Sequence, residues 1–461
     1  MKKLGVIITD GVGYRNFILS DFISEAHKNF DEVVILSFLP KSVYKDIDCK
    51  VIELESVTEK FFNWFFRKAK EVAHLQLHKK GNFGIQDNLK TNYSKSNSSH
   101  GYATRMIFKF THFFHSENTI QLFNRLQQLS FKNNSITKNY KSLLESEKFD
   151  LLFFTHQRPP FIAPLVYQAE KQNIKTATFI FSWDNLASKG RMAANFNYFL
   201  VWSDLMKSEL LQFYSSVKSD NVAVVGTPQF ESYVLDRYKT DVTSFVKKFD
   251  LDSNKKTICF SCGDISTSRN DELYITTIAD AILNNQIKDV SLLIRTSPAE
   301  DPIRFQNFVA KYPFVKWNYP KWELSRENHQ EQWSQRIPTV EDVQDLRAVL
   351  EFSDININML STMSLDFMQF NKPVINTVFG NSTNRLYDDQ RFLNYAHIQK
   401  VVKSGATKVV LNENELITAI NSYLNDSNLD CTNRKQLLQL QVSKPLLGTG
   451  KRIAETLLKW S

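Results

Sequence analysis

Short, continuous apolar runs alternate along this chain with stretches whose apolar positions recur at helical spacing. LGVIITD, from Leu4, is one such run and ends in an acid; EVVILSF, from Glu32, is another. Between them Phe17, Phe22, Ile23 and Ala26 keep helical spacing over Asn16–Ala26. A strand open to water on one face would alternate; an unbroken run suits a parallel strand covered on both faces. Residues 1–55 therefore predict strand, helix, strand. DLLFFTH, TATFIFS, YFLVWS and NVAVVGT continue the series up to Thr227, with helices over Pro164–Lys171 and Asp204–Tyr214.

After Gly226 the pattern restarts. TICFSC, VSLLIRTSP, the short Phe314–Trp317, DININM and PVINTVF read as strands. Helices are expected over Asp271–Leu283, 302–311, 341–351 and 361–370, and two or three more from Glu413 to Trp460. Residues 318–338 read as an aromatic, proline-bounded loop. Two successive β/α series predict an α/β protein with two Rossmann-like, doubly wound domains facing a cleft. The expected boundaries are 1–225 and 226–461, the tail helices counted with the second domain. Residues 56–148 break the first series. FFNWFFRKAKEVAHLQL and Tyr102–Leu144 are helical in spacing, and 81–101, rich in Asn, Ser, Gly and Lys, read as a mobile loop. This segment is a helical insertion in the first domain.

Charge singles out the same insertion. Residues 60–140 hold 13 lysines and arginines against 3 acids, whereas the whole 461-residue chain has a net charge of only +8. No nucleic-acid motif accompanies the charge, so nucleic acid is not the expected partner. An anionic membrane surface or an anionic acceptor is. Phe61, Phe62, Trp64, Phe65 and Phe66 run straight into Arg67, Lys68 and Lys70. Such a helix suits either a lipid headgroup layer or the core of the first domain. The apolar stretch at the start stops at Asp10, too early for a signal peptide, and no run of eighteen apolar residues occurs. The expectation is a cytoplasmic protein, peripheral at the inner face of the membrane. Cys259-Phe-Ser-Cys262 lies inside an apolar run and has no second ligand pair, so two buried thiols are expected and no metal.

Candidate chemistry sits where predicted strands end. Asp10-Gly-Val-Gly-Tyr-Arg15, His156-Gln-Arg158-Pro and Ser182-Trp183-Asp184-Asn185 end strands of the first half. Gly263-Asp264, Arg295-Thr-Ser297-Pro and Ser361-Thr362-Met-Ser-Leu-Asp366 end strands of the second. Two hydroxyls at a helix start with a guanidinium on a nearby strand make a diphosphate site, so Arg295, Ser361 and Thr362 are assigned to phosphate binding. A plain N-cap, Ser361 with Ser364 or Asp366, is the alternative. Asp10, between glycines that let the backbone turn, is the candidate general base, with Asp184 and His156 as rivals. A turn or cap role for Asp10 is the alternative. Gly11 and Gly13 lack the third glycine of a dinucleotide fingerprint, so NAD is not expected, and no other cofactor is.

LLIRTSPAEDP, the Pro320–Glu323 loop and SDININMLSTMSLDFMQFNKPVINTVFG resemble the donor lobe of GT-B glycosyltransferases of bacterial capsule and surface-polysaccharide synthesis. FIFSWDNLASKGR, LVWSDLMKSEL and VVGTPQFE resemble the same set; residues 60–145 do not. The resemblance implies a UDP- or CMP/CDP-linked sugar in the second lobe and a glycan or lipid-linked acceptor in the first. Gly263, Asp264, Ser297 and Asp366 fall in the donor-side segments, and Trp322 lies where it would cover the nucleotide. Arg15, Arg158, Trp183 and Asn185 fall on the acceptor side. The Glu-x7-Glu pair of retaining families and an Asp-x-Asp metal motif are both missing, which favours inversion without metal. A CDP-glycerol-like polyol-phosphate transferase, a non-hydrolysing sugar epimerase and a non-catalytic scaffold of an assembly complex are the other readings.

Overall fold

A computed structural model of the chain describes residues 1–327, 332–381 and 389–461. It divides into two compact units, Met1–Glu231 with Gln441–Ser461, and Ser232–Leu440.

The first unit is built on seven strands: β1 (Lys3–Ile8), β2 (Glu32–Ser37), β3 (Lys50–Glu53), β4 (Leu151–Phe154), β5 (Lys175–Phe179), β6 (Tyr198–Val201) and β7 (Val222–Val224). All pair in parallel, in the order β3-β2-β1-β4-β5-β6-β7. The winding reverses between β1 and β4, and such a reversal opens a crevice at the carboxyl ends of the two strands. β1 and β2 are buried from their second residue on, as unbroken apolar runs require. Gly5 is there for contact: a Cβ would stand 2.6 Å from Leu152 Cδ2 on β4. The helix expected over 16–26 is two helices, α1 (Gly11–Phe17) and α2 (Phe22–Asn29). Phe17 ends α1 and meets Phe22, Phe153 and Phe179 edge-on at 5.3–5.5 Å, which fixes α1 on the sheet.

Five helices form the insertion: α3 (Phe61–His78), α4 (Phe83–Thr91), α5 (Ser99–Phe113), α6 (Glu117–Leu129) and α7 (Ser135–Glu147). The segment read as a loop over 81–101 thus contains α4, started by Asn82, whose side chain accepts from the Ile85 amide. Ala69, Val72, Ala73, Ile107, Ile120 and Phe123 form the insertion core, and Phe65 and Phe66 pack against it. Phe65 and Phe66 thus face the insertion core, while Phe61 and Phe62 stay about half exposed.

The second unit holds β8 (Lys256–Ser261), β9 (Val290–Arg295), β10 (Lys316–Asn318), β11 (Trp322–Leu324), β12 (Arg336–Pro338), β13 (Ile355–Asn358), β14 (Val374–Thr377) and β15 (Lys408–Val410). Six of these make a parallel sheet in the order β10-β9-β8-β13-β14-β15, reversing between β8 and β13. β11 and β12 pair antiparallel, so the expected loop 318–338 contains a two-stranded ribbon; its residues 328–331 lie outside the described ones.

The last helix, Thr449–Trp460, belongs to the first unit, not to the second as sequence order suggests. Its first turn is fixed by Glu231, which accepts from the Gly450 amide at 2.9 Å. A Cβ on Gly450 would come within 2.6 Å of the Phe22 backbone, so only glycine lets this helix lie so close to α2.

Lys70 on α3 is buried, and no carboxylate among the described residues pairs with it. Its amine donates to Asn124 Oδ1 at 2.9 Å and to the Ala193 carbonyl at 2.7 Å. Burial, then the Arg191 and Arg67 charges, push it down to about 7 from 10.5. Between those values the unfolded chain holds a proton that the native chain has lost, so this group makes stability rise with pH. The slope is at most about 1.4 kcal/mol per pH unit. Urea unfolding of parent and Lys70→Met at neutral and alkaline pH should show that rise in the parent only; identical slopes would place the proton elsewhere.

Candidate functional site

Each sheet presents its own polar cluster at its reversal point. In the first unit the chain leaves β1 through Thr9 and Asp10 and leaves β4 through Thr155 and His156; β1 and β4 are hydrogen-bonded neighbours. Asp10 is the N-cap of α1 and accepts from the Gly13 amide at 2.8 Å through Oδ1. Its Oδ2 accepts from the Thr9 hydroxyl at 2.7 Å and lies 3.0 Å from His156 Nδ1. Two rival candidates are thus one hydrogen-bonded pair, and Asp10 also makes the helix cap given as its alternative role. Burial pushes the Asp10 carboxyl up, but His156, the Gly13 amide and Thr9 outweigh it and hold it below the usual carboxylate range. Asp10 is 1% exposed with both oxygens engaged, so it is poorly placed to take a proton from a substrate.

A carboxylate only accepts hydrogen bonds, so a neutral His156 carries its proton on Nδ1. Nε2 makes no hydrogen bond to a described residue and is left with its lone pair. The ring stacks on Phe181 at 3.8 Å and 15°, which fixes its plane, and keeps 7% of its side chain exposed. Gln157 ties the two neighbouring strand ends together: it donates to Asn185 Oδ1 at 2.8 Å and accepts from the Phe181 amide at 3.1 Å. Asp184 pairs with Lys189 at 3.5 Å and accepts from Asn185. Arg158 donates to the Gly190 carbonyl, Arg15 to Asn16, and Trp183 is buried. Gly13 serves packing, not a turn: it is helical, and a Cβ would stand 3.1 Å from Thr155 Oγ1.

In the second unit the reversal lies between β8, which leads into Gly263 and Asp264, and β13, which leads into Ser361 and Thr362. The Ser361 turn rests on a buried amide network. Asn358 Oδ1 accepts from the Ser361 amide at 2.8 Å and from Asn376 at 3.1 Å, and Asn356 donates to Ser261 at 2.8 Å. Leu360 stands at φ +50, a left-handed conformation that a bulky residue keeps only when its surroundings impose it. Thr362 is the N-cap of the helix Met363–Met368 and its side chain makes no capping bond, whereas Ser361 Oγ accepts from the Met363 amide at 3.3 Å, the helix-start role given as the alternative for Ser361. Asp366 is buried and takes the Tyr233 hydroxyl. Asp264 closes its own turn, accepting from the Ser266 amide, and Ser297 accepts from the Ala299 amide.

Arg295 departs from the expected role. It ends β9, and β8 separates β9 from β13, so Arg295 does not sit beside Ser361. Its guanidinium is buried against Asp342 at 3.1 Å and also bonds Asn318. Trp322 Nε1 donates to the same Asp342 at 2.8 Å. Arg295 and Trp322 thus hold the β11–β12 ribbon. Sequence reasoning also missed Asp271 and Arg304. Asp271 accepts from the Gly263 amide at 3.0 Å and pairs with Arg304 at 3.2 Å, and burial pushes it up to about 7. Asp271 opens the helix after β8, an ordinary position for a helix-start acid, so the sequence carried no sharper signal. Cys259 and Cys262 are free and buried, and burial pushes both thiols up, Cys259 to about 12.

No family model and no curated protein sequence matches the chain. Solved structures do. MnaA of S. aureus, solved with UDP, is 12% identical with a TM-score of 0.54, over 99% of this chain and 96% of that one. A putative UDP-N-acetylglucosamine 2-epimerase from Listeria monocytogenes is 9% identical with a TM-score of 0.55, over 99% and 96%. A glycosyltransferase from Rickettsia africae is 13% identical with a TM-score of 0.51, over 99% and 98%. These likenesses establish the fold: two Rossmann-like domains in succession, the GT-B architecture, which glycosyltransferases and nucleotide-sugar epimerases share.

Arg295→Ala should now act on folding. Removing one partner of a buried ion pair strands Asp342, at a cost of about 3–5 kcal/mol. Urea unfolding should report that loss. Ser361→Ala with Thr362→Val should leave the unfolding midpoint within about 1 kcal/mol of the parent while weakening nucleotide binding. Normal stability of Arg295→Ala together with lost nucleotide binding would restore the ligand role.

Proposed function

We propose that the chain is a glycosyltransferase that moves a sugar from a nucleotide-activated donor to a hydroxyl of a glycan or lipid-linked acceptor, in bacterial surface-polysaccharide synthesis. The observation that carries this reading is the Asp10–His156 pair at the β1/β4 reversal. His156 is the general base. Nε2 takes the acceptor hydroxyl proton while the acceptor oxygen bonds the anomeric carbon and the bond to the donor phosphate breaks. Asp10 is the positioning residue: it fixes the tautomer and offsets the imidazolium charge that forms. Attack opposite the leaving nucleotide inverts the anomeric centre. The donor phosphates fit the second unit's reversal, with the Gly263 turn on one side and the Ser361 and Thr362 hydroxyls on the other. No part of this scheme calls on a metal.

Sugar epimerisation is the second reading, because one of the three solved structures above is a putative UDP-N-acetylglucosamine 2-epimerase. The two differ in product. Thermal-shift screening with UDP, CDP, GDP, dTDP and CMP identifies the nucleotide, since a ligand of the folded state alone raises the unfolding temperature. Incubation with the matching sugar nucleotide and acceptor should then release nucleoside diphosphate in proportion to glycan formed. Epimer formation without acceptor supports the second reading, and CMP release from a CDP-polyol supports phosphate transfer. Binding without any turnover supports a scaffold.

His156→Gln should lower turnover by roughly 100-fold or more with donor binding intact. Asp10→Asn should match it. With Oδ1 still capping Gly13, the new amide donates to Nδ1 and drives the proton onto Nε2, the tautomer that cannot act as base. The double variant should be little worse than either single one, as expected of residues that act as a unit. Full activity of His156→Gln would end this assignment.

A further inference from the structure

The insertion carries an apolar surface that its own fold does not use. α5 turns Ala103, Ile107 and Thr111 inward. On its outer side Tyr102, Met106, Phe110 and Phe113 are 60%, 56%, 49% and 76% exposed. Steps of four, four and three residues place them in one stripe along the helix. Phe114, stacked on Phe110 at 4.7 Å, carries the stripe past the helix end. Large apolar side chains gathered on one exposed helix face mark an interaction surface, whereas scattered ones do not.

Charge decides what covers it. Arg105, Lys109 and His112 border the stripe on one flank, and no acidic residue occurs between Asp87 and Glu117. Arg105 is held over the Tyr102 ring at 4.5 Å and bonded to the Ser94 and Ser96 carbonyls, while Lys109 makes no ion pair with a described residue. A second copy docked through this face would set two strongly basic insertions against each other, a like-charge contact that opposes pairing. An anionic bilayer meets both features at once: acyl chains take the aromatic stripe, and lipid phosphates take the cations at its border. No described helix is long and apolar enough to cross a membrane. We propose that α5 is a membrane-docking helix that lies in the headgroup layer of an anionic bilayer. This moves the contact off α3, where Phe65 and Phe66 are packed inward. It does not rest on the glycosyltransferase reading.

Co-sedimentation with phosphatidylglycerol–phosphatidylcholine vesicles, and with phosphatidylcholine alone, tests it at low and high salt. The parent should bind the anionic vesicles at low salt and release at high salt. Met106→Ser with Phe110→Ser and Phe113→Ser should weaken binding by about a hundredfold or more. Arg105→Gln with Lys109→Gln should weaken it by roughly 30-fold, on anionic vesicles only. Phe61→Ser with Phe62→Ser should bind as the parent does. All these side chains except the half-buried Arg105 are exposed, and unchanged thermal unfolding of each variant shows that folding is intact. A parent that stays in the supernatant with anionic vesicles at low salt overturns the proposal. So does a triple variant that binds unchanged. Sedimentation velocity adds the last outcome: a parent dimer that the triple variant converts to monomer makes this face a contact between copies, and the lipid assignment falls.

Discussion

A parallel sheet covered on both faces leaves its side chains no access to ligand except at the carboxyl ends of its strands. That constraint governs both units. β1 and β4 are apolar until they end, and polar residues begin at Thr9 and Thr155. The chain winds away in opposite directions from these two strands, so no crossover covers the gap between them. Asp10 and His156 occupy that gap. Packing beneath them is correspondingly rigid: Phe17 locks α1 among three other aromatic rings, and α1 in turn carries the Gly13 amide that holds Asp10. The second unit repeats the plan at β8 and β13, with an amide network in place of an aromatic cluster.

The buried carboxylates divide by what they face. Asp342 faces Arg295, and both are buried, so each is the other's solvation. A charge spent in that way is not available to a phosphate, because releasing it would strand its partner. Asp271 and Arg304 have the same relation beneath Gly263. Asp10 differs, since its partner is a neutral-capable imidazole, bonded through Nδ1, whose Nε2 makes no hydrogen bond to a described residue. This difference in partner, more than any difference in burial, sets Asp10 apart from Asp342 and Asp271.

Much of this was legible in the sequence. Unbroken apolar runs announced the parallel strands, and the polar residues closing them marked six strand ends, four of which the structure places at the two reversal points. Asp10, His156, Gly263, Ser361 and Thr362 are all at those ends. What the sequence hid was pairing over distance. Asp10 and His156 read as rivals because 146 positions separate them. Arg295 read as a phosphate ligand because Asp342, its partner, sits inside an ordinary helical pattern. The three-residue strands β11 and β12 are too short for any period to show. The helix Thr449–Trp460 followed the second series in the chain yet packs with α2, which only a three-dimensional contact reveals.

The central claim is that Asp10 holds His156 with its proton on Nδ1 and a lone pair on Nε2. Nitrogen-15 NMR of the imidazoles reads this directly. The chain has nine histidines, and His156→Gln assigns the signal by its loss. In the neutral form, the His156 ring should show a protonated Nδ1 and an unprotonated Nε2, and Asp10→Asn should reverse the two. A His156 that carries its proton on Nε2 in the parent, or whose tautomer ignores Asp10→Asn, would contradict the account.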